Sequence, residues 1–216
     1  MPHKIISVEG NIAAGKSKLV SDLKNIATNN NIRTIYIQEP VSEWSTIRNK
    51  DNINILTLFY NDQHKYAFSF QMMAYISRLV SIKKAVESVG PDENCIIICE
   101  RSVHTDRHVF AKMLYDDGKI EDINFEIYLR WFDEFVNDYP IEAIIYIPTP
   151  PKLCAERVKI RNRLGEDISI EYLECCHQYH VDWLEKSTCK ILTIDPYFTS
   201  TVKGQIDDFI QSLELS

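Results

Sequence analysis

Residues 8–17 read VEGNIAAGKS, and within them Gly10, Gly15, Lys16 and Ser17 satisfy the pattern G-x-x-x-x-G-K-[ST]. No other stretch constrains the fold as tightly, because the pattern works only where a strand turns sharply into a helix. The glycines allow close approach to an anion. The backbone from Gly10 through Asn11, Ile12, Ala13 and Ala14 to Gly15 is expected to present N–H groups to phosphates, with the helix N-terminus adding partial positive charge. Lys16 is placed to reach the β- and γ-phosphates of a triphosphate, and Ser17 to hold Mg²⁺.

The rest of the chain supplies the fold that such a turn requires. Short β-branched, apolar runs recur at residues 4–8, 33–38, 95–99, 143–147 and 190–194 with little polar alternation. Runs of this kind are strands buried on both faces, as in a parallel sheet. Between them, apolar periodicity predicts helices over 16–28, 64–89, 104–116, 122–138, 151–162, 168–186 and 202–213, the second stopped by Gly90-Pro91. The alternation predicts an α/β fold of the P-loop NTPase type: three layers, with a five-stranded parallel sheet flanked by helices. The 216 residues suit a single domain over 1–216. Residues 40–63 are the least regular and form a candidate substrate loop.

Composition excludes several classes. A net charge of -7 argues against a duplex nucleic-acid partner while leaving room for a local basic pocket. No apolar run reaches the roughly 18 residues of a membrane span, and MPHKIISVEG does not read as a secretory leader. The six cysteines include no C-x-x-C, and Cys95 and Cys99 lie inside an apolar run. The expectation is a soluble, cytoplasmic, reducing setting. His104 and His108 are four apart, but Thr105 stands where H-E-x-x-H needs glutamate. Cys175-Cys176-His177 with His180 lies on an amphipathic helix and reads as packing.

The motifs of a switch or motor fail. Asn49-Lys50-Asp51 would need aspartate at 52, which is asparagine; a D-x-x-G ending at Gly118 would need aspartate at 115, which is tyrosine. Strand ends carry more, because ligands of open α/β sheets sit beyond the carboxyl ends of the strands. The second run ends in Gln38-Glu39-Pro40 and the third in Glu100-Arg101-Ser102. One carboxylate beside Mg²⁺ is ordinary. A second can accept the proton of an attacking hydroxyl, although Glu39 could instead be a solvated strand-end charge. Arg157, Arg161 and Arg163 fit a lid over residues 157–169 that clamps phosphates, or else a solvated basic helix.

VEGNIAAGKS, QEPVSEW, FSFQMMAYISR, CERSVHTDRHVF, RVKIRNR and IEYLECCHQYHVDWL occur in that order. Together they closely resemble the deoxynucleoside kinases of the deoxycytidine/deoxyguanosine type, over residues 4–198. The resemblance implies transfer of the γ-phosphoryl of ATP or another triphosphate to a deoxynucleoside 5′-hydroxyl, with Mg²⁺. It implies that Glu39 is the general base, Glu100 helps order Mg²⁺, and Arg101 contacts phosphate and the 5′-oxygen region. Trp44, Leu56, Phe59, Phe70 and Phe110 would line the nucleoside pocket, and Gln71 would read the base edge through its amide. Tyr60 would bind the 3′-hydroxyl with Glu166, for which Asp167 is a rival because this chain is one residue shorter there. Asp195-Pro196-Tyr197-Phe198 resembles the loop that packs on the adenine of ATP. The resemblance also implies a homodimer, for which helices 104–116 and 122–138 are the candidate interface.

Ala74, Arg78 and Asp106 match the trio that separates cytidine/purine-type from thymidine-type sites. An Arg78–Asp106 ion pair would crowd the space of a thymine 5-methyl, favouring deoxycytidine and purine deoxynucleosides. The rivals are a thymidylate-type monophosphate kinase, which would need further cations for an acceptor phosphate, and a non-catalytic nucleotide-binding protein.

Overall fold

The five apolar runs form the strands β1 (His3–Glu9), β2 (Arg33–Ile37), β3 (Cys95–Glu100), β4 (Ile141–Tyr146) and β5 (Lys190–Thr193), all parallel, in the order β2-β3-β1-β4-β5. The structure is a computed structural model and describes residues 3–25, 32–163, 165–198 and 202–214. Both faces of the sheet are covered, which is why the strands read as unbroken apolar runs. Ile6, Val8, Ile96, Ile98 and Ile145 pack against Leu19, Val20 and Leu23 of α1 (Lys16–Asn25) and Ile206 and Ile210 of α10 (Val202–Glu214). Ile5, Ile97 and Cys99 face the other way, onto Ile82 and Ala85. These belong to α4 (Gln63–Glu87), whose N-terminal Asp62 accepts the Lys65 N–H at 3.1 Å. The α/β three-layer expectation is met.

Register brings the functional ends together. Val8 pairs with Glu100 and Glu9 with Tyr146, so the phosphate loop leaves the sheet beside the Glu100-Arg101-Ser102 turn. Gly10 has φ 144°, and a Cβ there would sit 2.7 Å from the Ile147 carbonyl oxygen, so only glycine fits.

Three local features depart from the expected pattern. Residues 40–63 are not simply a loop: they contain α2 (Val41–Trp44) and α3 (Ile55–Asn61), the latter capped by Asn54 Oδ1 accepting the Thr57 N–H at 2.9 Å. The helix expected over 104–116 begins at Val103 and is not uniform: α5 (Val103–Thr105) runs into a π-helical segment, Asp106–Ala111, and then α6 (Lys112–Asp116). Such wide turns are a known mark of functional positions, and this one carries Asp106 and Phe110 into the central cavity. The first helix is described to Asn25, so residues 26–28 of the expected span lie outside the described residues. The remaining helices, α7 (Asp122–Phe135), α8 (Pro151–Arg161) and α9 (Ile170–Leu184), follow the sequence pattern.

Candidate active site

A cavity of about 210 Å³ opens at the carboxyl ends of β1, β2 and β3. At its base the phosphate loop is folded as the motif demands. The buried Lys16 Nζ reaches back to donate to the Gly10 carbonyl at 3.1 Å and the Asn11 carbonyl at 2.7 Å. Burial, then the Arg101 charge, lowers its pKa to about 8. Asn11 ties the loop to the helical layer, donating from Nδ2 to the Leu173 carbonyl at 2.8 Å while its Oδ1 accepts the Ile12 N–H. Ile12, Ala13, Ala14 and Gly15 line the cavity floor. The Ser17 hydroxyl donates to Glu100 Oε1 at 2.8 Å. A hydroxyl and a carboxylate in contact beside Lys16 are the hard oxygen donors that Mg²⁺ favours, so the residues present fit that ion.

Four side chains form the centre of the site. Arg78 Nε donates to Asp106 Oδ2 at 2.9 Å, its NH1 to the Glu100 carbonyl at 2.7 Å, and its NH2 to Glu39 Oε1 at 3.0 Å. Arg101 NH1 donates to the same Glu39 oxygen at 2.6 Å. Burial pushes the Glu39 carboxyl up, but the Arg101, Arg78 and Lys16 charges more than offset this and hold it well below the usual carboxylate range. Glu39 is therefore an ionised group in the wall of the site, not a solvated strand-end charge. Arg101 lies in the left-handed region at φ 61°, strained for a non-glycine residue. Its guanidinium sits 4.9 Å from the Phe110 ring centroid, and its Nε and NH2 are buried without a hydrogen-bond partner. Unpaired buried donors are costly, and the residue that carries them lines the cavity.

Above this centre the walls are aromatic. Phe59 stacks on Phe70 with centroids 4.5 Å apart, and Trp44 meets Phe70 edge-on at 5.5 Å, its Nε1 donating to Ser77 Oγ. Leu56 and Ala74 complete this slot. Gln71 is only 2% exposed and lines it, yet its side-chain amide makes no hydrogen bond to the described residues. A flat slot ending in an unpaired amide suits a planar heterocycle with its own donors and acceptors.

The segment expected to act as a lid reaches the cavity wall. Arg161 and Arg163 donate to Glu166 at 2.5 and 2.8 Å, and all three line the cavity, whereas Asp167 is exposed and does not. Arg157 lies within α8 instead, bonding the Ala14 and Pro196 carbonyls at 2.9 Å each. Tyr60 lines the wall nearest Glu166; burial and then the Glu166 charge raise its pKa.

Asp195 and Tyr197, expected on the side of the ATP adenine, do not line this cavity: Asp195 Oδ1 accepts the Tyr197 N–H at 2.7 Å, and the Tyr197 side chain is 72% exposed. It is Phe198 that packs beside Gly15 and under the Lys18 ammonium. Tyr172, which lines the cavity and meets Tyr60 edge-on at 6.4 Å, was missed. Its signal was its place in the first turn of the helix whose backbone Asn11 touches. Glu9 was missed as well, since nothing in E-G-N distinguishes a buried carboxyl from a loop charge. His104, His108 and Trp183 form a stacked column, and His180 Nδ1 lies 2.6 Å from the Cys176 carbonyl oxygen.

A family model described as deoxynucleoside kinase matches residues 6–213. The chain belongs to the deoxynucleoside kinase family. Among its relatives, deoxycytidine kinase of Homo sapiens is 32% identical over 232 residues, covering 97% of this chain and 88% of the relative. Deoxycytidine kinase 2 of Gallus gallus is 33% identical over 204 residues, covering 86% and 76%. The mitochondrial deoxyguanosine kinase of Xenopus laevis is 32% identical over 207 residues, covering 88% and 77%. This kinase is a phosphotransferase that acts on a hydroxyl group, which removes the monophosphate-kinase and non-catalytic readings. No helix among its described residues is long and apolar enough to cross a membrane.

Proposed function

We propose that this kinase transfers the γ-phosphoryl of ATP or another nucleoside triphosphate to the 5′-hydroxyl of a deoxynucleoside, preferring deoxycytidine and purine deoxynucleosides over thymidine. The observation that carries the preference is the Arg78–Asp106 pair at 2.9 Å, buried in the wall of the cavity that also holds Gln71. It occupies the volume a 5-methyl group would need and supplies polar partners in its place.

The base enters the Phe59/Phe70/Trp44 slot and pairs with the Gln71 amide. The sugar 3′-hydroxyl meets Tyr60 and Glu166, and the 5′-hydroxyl meets Glu39. Phosphoryl transfer proceeds through a loose transition state, so positioning and charge do most of the work. Glu39, held ionised by two arginines, is a weak base for a free alcohol. It orients the hydroxyl and takes its proton late, when bonding to phosphorus has made the proton acidic. Lys16 leaves the Gly10 and Asn11 carbonyls for the β- and γ-phosphates, Arg101 turns its unpaired N–H groups on the transferring group, and Arg161 and Arg163 close from above. Arg157 and the residue 195–198 turn hold the donor side. Ser17 and Glu100 would hold Mg²⁺, which offsets phosphate charge when bound.

Two copies of this chain form the working unit in this reading. The support is an exposed apolar face: Ile76 and Val80 of α4, and Ile123, Ile127 and Trp131 of α7, are 40–65% exposed. The helical segment from Val103 to Asp116 contributes no large exposed apolar residue, so this reading keeps the helix at 122–135 and pairs it with α4 in place of 104–116.

Steady-state phosphorylation of the four natural deoxynucleosides tests the reading. Deoxycytidine or a purine deoxynucleoside should have the highest kcat/KM; a lead for thymidine overturns the preference.

A further inference from the structure

Glu9 closes β1 and immediately precedes the phosphate loop, and it is 0% exposed. A carboxyl group so deep is usually tolerated only when its oxygens are fully used. Three hydroxyls donate to it. Ser7 Oγ comes from its own strand, Ser102 Oγ lies at 3.2 Å, and Thr105 Oγ1 lies 2.6 and 2.7 Å from its two oxygens. Ser102 and Thr105 follow Arg101 directly, as the end of the β3 turn and the first turn of the next helix. The Thr105 hydroxyl is also the acceptor for the Ser102 N–H at 3.1 Å. On the near side, the Arg101 N–H donates to the Val8 carbonyl at 3.0 Å. The left-handed Arg101 is thus pinned between Val8 before it and a hydroxyl clamp on Glu9 after it.

We infer that Glu9 is a positioning residue for phosphoryl transfer: it fastens the Ser102–Thr105 turn to the root of the phosphate loop and so holds the strained Arg101 with its guanidinium in the wall of the cavity. The inference rests on the role given to Arg101 above. A carboxyl group suits this position because it offers acceptors on both oxygens. Glutamine would fit the same space but offers one acceptor oxygen where the carboxyl group offers two.

The test is a double-mutant cycle between Glu9→Gln and Arg101→Ala, with steady-state kinetics on ATP and deoxycytidine and a thermal midpoint for each variant. Misplacing a group by about an ångström costs up to on the order of a hundredfold in rate. Glu9→Gln should therefore lower kcat by about ten- to a hundredfold while leaving both KM values within about twofold. In the Arg101→Ala background it should cost little more. Thr105→Val, which removes the clamp hydroxyl at equal size, should reproduce the kcat loss and serves if Glu9→Gln does not fold. An unchanged kcat in a folded variant, or losses that multiply fully in the double variant, overturns the role of Glu9. An Arg101→Ala variant that turns over normally overturns the underlying role of Arg101 instead.

Discussion

Arg78 and Asp106 meet at 2.9 Å with side chains 3% and 2% exposed, and the same guanidinium reaches Glu39 at 3.0 Å. One arginine therefore links Asp106 in the cavity wall to the Glu39 carboxylate. Burial alone would lower its pKa, but Asp106 and Glu39 raise it, so the charge is retained.

Removing one member of a buried pair strands the other, whereas removing both can be tolerated. Arg78→Met with Asp106→Ala should open the slot. The thymidine-to-deoxycytidine ratio of kcat/KM is expected to rise by at least about tenfold, a change of about 1.4 kcal/mol in relative transition-state binding. Competition kinetics with the two nucleosides read the ratio directly.

Glu39→Gln keeps shape but removes the acceptor for the hydroxyl proton and the shared partner of Arg78 and Arg101. Loss of a general acid–base group costs about 10²- to 10⁴-fold. The loss should fall on kcat, measured with saturating ATP and deoxynucleoside. Retention of more than a tenth of the rate would count against the assignment.

Gly165 sits in the lid at φ 82°, and a Cβ there would fall 2.0 Å from Thr57 Oγ1 on α3. Gly165→Ala should keep the lid from seating on the helix that carries Leu56, Phe59 and Tyr60. We expect kcat/KM to fall by about tenfold or more for both substrates. The thermal midpoint should stay close to wild type, as differential scanning calorimetry would show.

His180 is fully buried, with Nδ1 2.6 Å from the Cys176 carbonyl and Nε2 unpaired. Burial lowers its pKa to about 3, with the Arg101 and Lys16 charges adding to the effect. Its folded pKa lies below the unfolded value, so below about pH 6.5 the unfolded chain binds the extra proton first and stability falls with pH. The slope from this residue approaches about 1.4 kcal/mol per pH unit between those two values. The thermal midpoint of His180→Gln should depend less steeply on pH between 6.5 and about 3.

Ile76→Glu with Ile127→Glu places two charges in the exposed apolar face of α4 and α7. Sedimentation equilibrium should give the mass of one chain for the variant and of two for the wild type. A wild-type mass of one chain would remove the dimer from the proposal.

Much of the site could be read in advance because its parts obey local rules. The loop motif needs only a strand and a helix around it, and Glu39 and Glu100-Arg101 sit where runs of buried strand residues stop. Contacts between distant segments could not be read that way. Glu9 looks like any charge beside a glycine until the fold brings Thr105, 96 positions away, against it. Tyr197 and Phe198 are equally aromatic, and a single Asx turn decides which faces the phosphate loop. The π-helical turn at Asp106–Ala111 has no periodicity signal of its own over six residues.

By itself the sequence determined the alternation of strands and helices, the phosphate-loop motif and, through its ordered motifs, the family. These follow from residue type and spacing along the chain. The tertiary structure alone decided which carboxyl groups are solvated and which are clamped, that Arg101 stands in a strained turn with two donors unpaired among the described residues, and that Arg78 joins Asp106 to Glu39. Those outcomes depend on burial and on partners supplied by other strands, and neither is a property of any one segment.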